Sequence, residues 1–361
     1  MRYYSWLHCW RTAGRQALVA AVLACVVAGA HASVDPKNLV RNGDFEEPGS
    51  PPPGWKIEAG AGEGWDLSPD ALTGKQALRL SLPVAGSVTA TSDPCSVIGG
   101  DDYLLTFWGR GDGAKKGGGQ ATCYVIWQDA AGKDLGTLTV TSNGPTPDYG
   151  VCTYTLTAPA TAVGALVRFT AGLGGDYQGP PTAFYFDQTR LMHLSPRTIP
   201  AGAKTWQYLC RQLSTGLQMV EDKDAEQGQA IMAQVGVATP HGMPLTWGQY
   251  TREQIPGDYL VTYRLKVKDN SKPEPVASLG MTDIGSYNYV LCPSRTILAT
   301  EFKAPGVYQE FTMRFVRPEE GMLEWNCVWQ GTTDLYFDKS IVTQLAAFAT
   351  DKELAAVLLG E

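Results

Sequence analysis

Histidine is scarce in this chain, with four in 361 residues. Only His193 and His241 lie beyond the leader described below, too few for most histidine-based metal centres, and neither adjoins a nucleophile motif. The patterns GxSxG and HExxH and the glycine-rich phosphate loop are missing. No two cysteines stand as CxxC, which argues against a sulfur-bound metal. Cations are few: 29 Lys and Arg face 36 Asp and Glu, a formal net charge of −7. Nucleic-acid backbones are bound by clustered Lys and Arg, so nucleic acid is excluded as a partner. No apolar run reaches the ~20 residues that span a bilayer. Glycosidases need two carboxylates across a cleft, and nothing in the sequence marks such a pair. The chain reads as non-enzymatic.

What is present begins with a leader. "MRYYSWLHCWRTAGRQ" holds three arginines and no acid, "ALVAAVLACVVAGA" is apolar, and "AHA" ends on small residues at Ala32. That order predicts a signal peptide over residues 1–32, cleaved after Ala32, and hence a secreted chain, extracellular or periplasmic, with no membrane association after cleavage. Hydrophobic content of 44% with ten tryptophans is too apolar for disorder, so packed cores are expected. Export permits disulfides among Cys95, Cys123, Cys152, Cys210, Cys292 and Cys327. Either each half pairs two of its three, or a bridge links the halves; within the first half Cys95–Cys152 is the favoured pair.

The two halves repeat. "GDDYLLTFW" from Gly100 answers to "PGDYLVTYR" from Pro256, "DYGVCTYTLTAP" from Asp148 to "VYQEFTMRFVRP" from Val307, and "AFYFDQTRLMHL" from Ala183 to "DLYFDKSIVTQL" from Asp334. "GKQALRL" from Gly74 pairs more loosely with "GQAIMAQ" from Gly228. The order is kept at a displacement of domain length, as in a diverged tandem duplication. Each copy reads as all-β. Alternation puts Tyr103, Leu105 and Phe107 on one face and Leu104, Thr106, Trp108 and Arg110 on the other. In the second copy Tyr259, Val261, Tyr263 and Leu265 share the apolar face. Cys152, Tyr154 and Leu156 point inward, as do Phe311, Met313 and Phe315. Eight or so short strands per copy, with Gly-rich breaks, predict two-sheet sandwiches. The opening "NLVRNGDFEEPGSPPPGW" reads as a first strand and a proline-rich turn. Near the end, Thr350 and Glu353 have capping-box spacing, Leu354, Val357 and Leu358 share a helical face, and Gly360 is a stop. This helix either docks on the second sandwich or opens a further domain.

Taken in order, "NLVRNGDFEE", "GW", "GKQALRL", "DDYLLTFWGRG" and "FYFDQTRL" resemble the galactose-binding-like jelly rolls, specifically carbohydrate-binding modules of the cellulose- and xylan-binding type. The resemblance spans residues 38–194 and implies a jelly roll there; the second copy matches only in its later strands and lacks an "NGDFE" stretch. With the repeat, the linker "SPRTIPAG" and the capping pattern, the expectation is an all-β chain of two tandem jelly-roll sandwiches: a first module over 33–194, a linker at 195–202, a second, diverged module over 203–345 and a C-terminal helix at 346–361. The resemblance also implies a structural calcium in the first module, held by Asp44 and Glu46, the backbone around Gly74 and Lys75, and Asp187. Calcium takes six to eight oxygens, from carboxylates and carbonyls together. In the second copy Asp338 keeps the matching place without the preceding acids, so a satisfied hydrogen bond is expected there.

Sugars are held by flat apolar platforms with planar polar groups for the hydroxyls. Trp108 with Arg110 beside it offers both. The strand "ATCYVIWQD" presents either Tyr124 and Gln128 or Trp127, according to which parity faces out. Trp65 and Tyr177 are expected in loops that would rim such a face. Against this, Trp55 and Trp65 also suit plugs at the sandwich ends, because tryptophan is mostly buried. The second copy has Arg264 in place of Trp108; Trp325, Cys327 and Trp329 read as core. The expectation is a non-catalytic, secreted protein that binds polysaccharide or oligosaccharide through its first sandwich. The alternatives are a structural or adhesive surface protein, or the accessory part of a glycoside hydrolase.

Overall fold

The computed structural model describes residues 37–112, 119–143, 147–174, 181–210, 217–237, 244–246, 251–284, 291–318, 321–348 and 350–359. The leader, Tyr177, His241 and Gly360 fall outside them. No helix among the described residues is long and apolar enough to cross a membrane.

The first sandwich is built from β1 (Trp55–Ala59), β2 (Gly64–Ser68), β3 (Ala77–Leu82), β4 (Gly86–Ser92), β5 (Cys95–Ser96), β6 (Asp102–Asp112), β7 (Gly119–Gln128), β8 (Asp134–Asn143), β9 (Gly150–Thr157), β10 (Gly164–Leu173) and β11 (Thr182–His193). One sheet runs β1-β4-β10-β7-β8, with β5 beside β10; the other runs β2-β3-β11-β6-β9. The second sandwich uses β12 (Thr205–Leu209), β13 (Gln218–Glu221), β14 (Gln229–Ala233), β15 (Pro244–Thr246), β16 (Gly257–Val267), β17 (Pro275–Ile284), β18 (Arg295–Leu298), β19 (Gln309–Arg317), β20 (Met322–Trp329) and β21 (Leu335–Ala347). Its sheets run β13-β14-β21-β16-β19, with β12 beside β21, and β15-β20-β17-β18. A single short helix, α1 (Asp351–Leu358), follows.

Alternation governs each core. Tyr103, Leu105 and Phe107 pack inward with Cys152, Tyr154 and Leu156, and Phe169 stacks on Phe186 at 4.0 Å. Tyr259, Val261, Tyr263 and Leu265 do the same in the second sandwich, joined by Phe311, Met313, Phe315, Trp325, Cys327 and Trp329. Trp127 and Trp55 belong to the first core, and Trp65 packs partly against it. Burial of this apolar surface is the main force holding each pair of sheets together.

Three expectations are corrected. The stretch from Asn38 to Gly54 is not a strand but a sequence of turns, with Asn42 and Phe45 at positive φ (48° and 57°). Its reversal drives the Phe45 ring into the core, where Trp55 meets it at 5.1 Å. All six cysteines outside the leader are buried free thiols, so the Cys95–Cys152 bridge is not formed. The two stand on opposite sheets, β5 and β9. The helix has its capping box, with Glu353 N donating to Thr350 Oγ1 at 3.2 Å, but it packs chiefly on the first sandwich rather than the second. Val357 and Leu358 join Leu104, Val151, Met192 and Leu194, with Val316 from β19. Arg190 on β11 donates to the Ala356 carbonyl at 2.8 Å, satisfying an end group of the helix.

Candidate functional site

The outer face of the β1-β4-β10-β7-β8 sheet is polar, for a reason visible in its strands. "GSVTATS" buries Val88 and Ala90 and turns Thr89 and Thr91 outward. "GALVRFTAGL" buries Val167 and Phe169 and turns Arg168 and Thr170 outward. In β7, Val125 and Trp127 face the core, so Tyr124 and Gln128 carry the outward parity. Strand register then sets Lys56, Thr91, Arg168, Tyr124 and Thr139 in one row across five strands. The next row runs Glu58, Thr89, Thr170 and Thr122, with the Thr89 and Thr170 hydroxyls 3.3 Å apart. Arg168 Nε donates to Thr91 Oγ1 at 3.1 Å, which aims the guanidinium along the row. Gln128 is less available: its amide donates to Gly132 O (3.3 Å) and to Asp134 (3.2 Å) in the β7–β8 turn.

Past Thr89 the face opens into a depression of about 700 Å³ bounded by Glu58, Glu63, Gly86 and Ser87. Glu63 accepts from Ser87 N at 2.8 Å and from Gly60 N, so backbone amides fix its carboxylate. An aromatic ring, an oriented guanidinium and rows of hydroxyls give flat apolar contact together with directional hydrogen bonding.

Trp108 and Arg110 occupy a different surface, the outer side of β6. Trp108 faces away from the sandwich core, as its parity predicts, yet it is half-buried against the cluster formed with α1. Arg110 is enclosed: it bonds Asp112 at 2.7 Å, pairs with Asp70, and its guanidinium lies over Tyr185 (3.8 Å) and beside Tyr149 (5.5 Å). Those two carboxylates raise its pKa against the opposing effect of burial. Trp65, on β2, leans into the core rather than over the Tyr124 face. Arg168 was the residue missed, although the alternation of "GALVRFTAGL" marks it as outward.

The residues expected around calcium are brought only partly together. Asp187, fully buried on β11, accepts from Leu72 N (2.9 Å), Thr73 N (3.3 Å) and Gln188 N (2.8 Å). Glu46 accepts from Lys75 N (2.7 Å) and Gln76 N (3.0 Å) in the same loop. Gly74 between them has φ 69°, in the left-handed region that favours glycine. Asp44 is exposed and its carboxylate stays in its own turn, 3.5 Å from Glu46 N. Burial pushes the Asp187 carboxyl up to about 7, and the Glu46 charge adds to that against three backbone hydrogen bonds. Neither acid has a Lys or Arg partner among the described residues. No three His, Cys, Asp or Glu side chains among the described residues converge as a metal cluster. In the second sandwich the matching Asp338 accepts from Glu226 N at 3.0 Å and pairs with Arg264, so a guanidinium lies beside that carboxylate.

No family model matches the chain, and curated protein sequences give no match. Solved structures do. A tandem pair of family 22 carbohydrate-binding modules from Paenibacillus barcinonensis Xyn10C is 13% identical with a TM-score of 0.33, over 88% of this chain and 100% of that one. TmCBM61, solved in complex with β-1,4-galactotriose, is 14% identical with a TM-score of 0.32, over 44% and 99%. The enzymatically active domain of tailspike protein 4 from bacteriophage CBA120 is 14% identical with a TM-score of 0.36, over 44% of this chain and 21% of that one.

Proposed function

We propose that this is a secreted, non-catalytic protein that binds polysaccharide across the outer face of the β1-β4-β10-β7-β8 sheet. The observation that carries this reading is the row Thr91–Arg168–Tyr124, a half-buried, outward-facing arginine in register with an aromatic residue among outward threonines. The resemblance of "NLVRNGDFEE", "GKQALRL" and "FYFDQTRL" to carbohydrate-binding modules supports it. Trp108 and Arg110 serve packing and ion pairing in this account, because α1 and the Asp70–Asp112 pair already engage them. Cleavage of the bound glycan, where it occurs, falls to a glycoside hydrolase domain or partner.

Calcium fits the Glu46–Asp187 pair as a structural ion. Two carboxylates share one loop without a compensating cationic side chain, and one of them is fully buried. The ion would draw its remaining oxygens from backbone carbonyls and water. The function is tested by affinity electrophoresis of the full chain in gels containing β-glucan, xylan and other polysaccharides. Retardation in at least one gel is expected. Unretarded migration across a broad panel contradicts the reading.

A further inference from the structure

Arginines of the first sandwich are otherwise committed. Arg41 pairs with Glu47 at 3.1 Å, Arg79 with Asp66 at 3.1 Å, Arg110 with Asp70 and Asp112, and Arg197, just after β11, with Asp102 at 2.6 Å. Arg190 is taken by the carbonyl of Ala356. Arg168 differs. Its Nε is held by Thr91, and no carboxylate among the described residues takes its two terminal nitrogens. Glu58 feels the Arg168 charge, which helps to lower its pKa after the larger effect of Lys56, but its salt bridge is to Lys56 at 2.6 Å and no hydrogen bond joins it to the Arg168 guanidinium. Charge is therefore graded along the face: two cations lie in the row with Tyr124, and Glu63 lies beyond Thr89 with its carboxylate tied to backbone amides.

We infer that the polysaccharide bound on this face carries carboxylates, as uronic acid residues, and that Arg168 takes one of them end-on through its paired terminal nitrogens. This rests on the glycan site proposed above and names its ligand class. The chemistry is specific to the guanidinium fork. A planar pair of N–H donors matches a carboxylate in two parallel bonds, roughly twice as strong as neutral hydrogen bonds, and a lysine ammonium cannot reproduce it. The bond from Nε to Thr91 positions the fork before ligand arrives, so less side-chain freedom is lost on binding. Adjoining neutral sugars would lie over Tyr124 and the Thr89–Thr170 row. General attraction for polyanions is disfavoured by the formal net charge of −7, so a preference for uronate must arise locally.

The test uses the full chain in gels of polygalacturonate and of alginate, of each polymer after reduction of its carboxyl groups, and of neutral xylan and β-glucan. Retardation by at least one polyuronate is expected to exceed that by its reduced form by roughly tenfold or more in affinity. Both Arg168→Lys and Arg168→Ala should erase that difference with an unchanged thermal melt, since the side chain has no buried partner. Retention by neutral polymers but by neither polyuronate overturns the inference and leaves glycan binding standing. So does a uronate preference that survives Arg168→Ala. Migration unaffected by every polymer overturns the inference together with the function beneath it.

Discussion

Arg314 of the second sandwich reaches Asp102 of the first, its Nη1 3.4 Å from the carboxylate Oδ2. The same guanidinium bonds Asp258 at 3.0 and 2.5 Å and the Ser195 carbonyl at 2.6 Å. Asp102 precedes Tyr103 in β6 as Asp258 precedes Tyr259 in β16, so aspartates in matching places converge on one arginine. Around them the edge strand β9 is covered by the second sandwich: Thr155 N donates to Leu291 O, in the segment before β18, and Val316 N on β19 donates to Thr155 Oγ1, both at 2.9 Å. Strand edges left bare invite pairing with other chains, and this junction closes two of them.

Removing that arginine should be costly. Arg314→Ala leaves the buried Asp258 without its guanidinium, and breaking such a pair costs about 3–5 kcal/mol. Urea unfolding of the full chain measures it. A loss below about 1 kcal/mol would show that water or Arg197 compensates and that the junction is weaker than its geometry implies.

Acid should loosen the same junction. Burial opposes the charge on Asp102, but hydrogen bonds from Arg197 and Thr157, with the charges of Arg197 and Arg314, outweigh it and hold its pKa below the ordinary 3.8. The folded state then binds fewer protons than the unfolded chain. Its contribution is complete above the unfolded value and is lost as pH falls through the folded one. The stability gap between wild type and Asp102→Asn, followed by denaturant midpoints, should be flat near neutrality and shrink below about pH 4. A gap that persists unchanged in acid contradicts this.

Calcium should matter at neutral pH. The Asp187 carboxyl, raised to about 7, has a folded pKa above its unfolded 3.8, so without an ion its burial destabilises the fold increasingly as pH rises through that interval. A chelator should lower the melting temperature near pH 7 and have less effect near pH 4, and Asp187→Ala should abolish the sensitivity. Identical melts with and without chelator would mean that the backbone amides alone sustain the Glu46–Asp187 loop.

The thiols should be inert until unfolding. Burial raises Cys95 and Cys292 to about 12 and Cys123 well above its ordinary 9.0. A thiol reagent should hardly react with Cys95, Cys123, Cys152, Cys210, Cys292 and Cys327 in the native protein, and should react with all six once the chain is denatured. Fewer than six in denaturant would reveal a disulfide.

Much of the fold was legible because strands report their faces directly. The two-residue period sorts Tyr103, Leu105 and Phe107 from Leu104, Thr106 and Trp108 without knowledge of any partner. That period cannot say what covers an outward face. Trp108 was readable as outward, but α1 lies more than two hundred residues away in sequence, and its Val357 and Leu358 join the same cluster. Arg110 was hidden similarly, since Asp70 and Tyr149 arrive from loops. The opening turn misled because its apolar residues look strand-like, while Asn38 instead bonds across to Thr189 O at 3.0 Å. Arg168 is legible as outward from the alternation of "GALVRFTAGL" alone.

The measurement that bears most directly on the proposed sugar-binding face compares Tyr124→Ala with Trp108→Ala in the polysaccharide gel that retards the wild type best. Tyr124→Ala should remove most of the retardation with little change in melting temperature. Trp108→Ala should keep the retardation and melt earlier, because it opens a gap beneath α1 that costs roughly 3 kcal/mol. Retardation that survives Tyr124→Ala and disappears in a folded Trp108→Ala protein would contradict the account and move the site to β6.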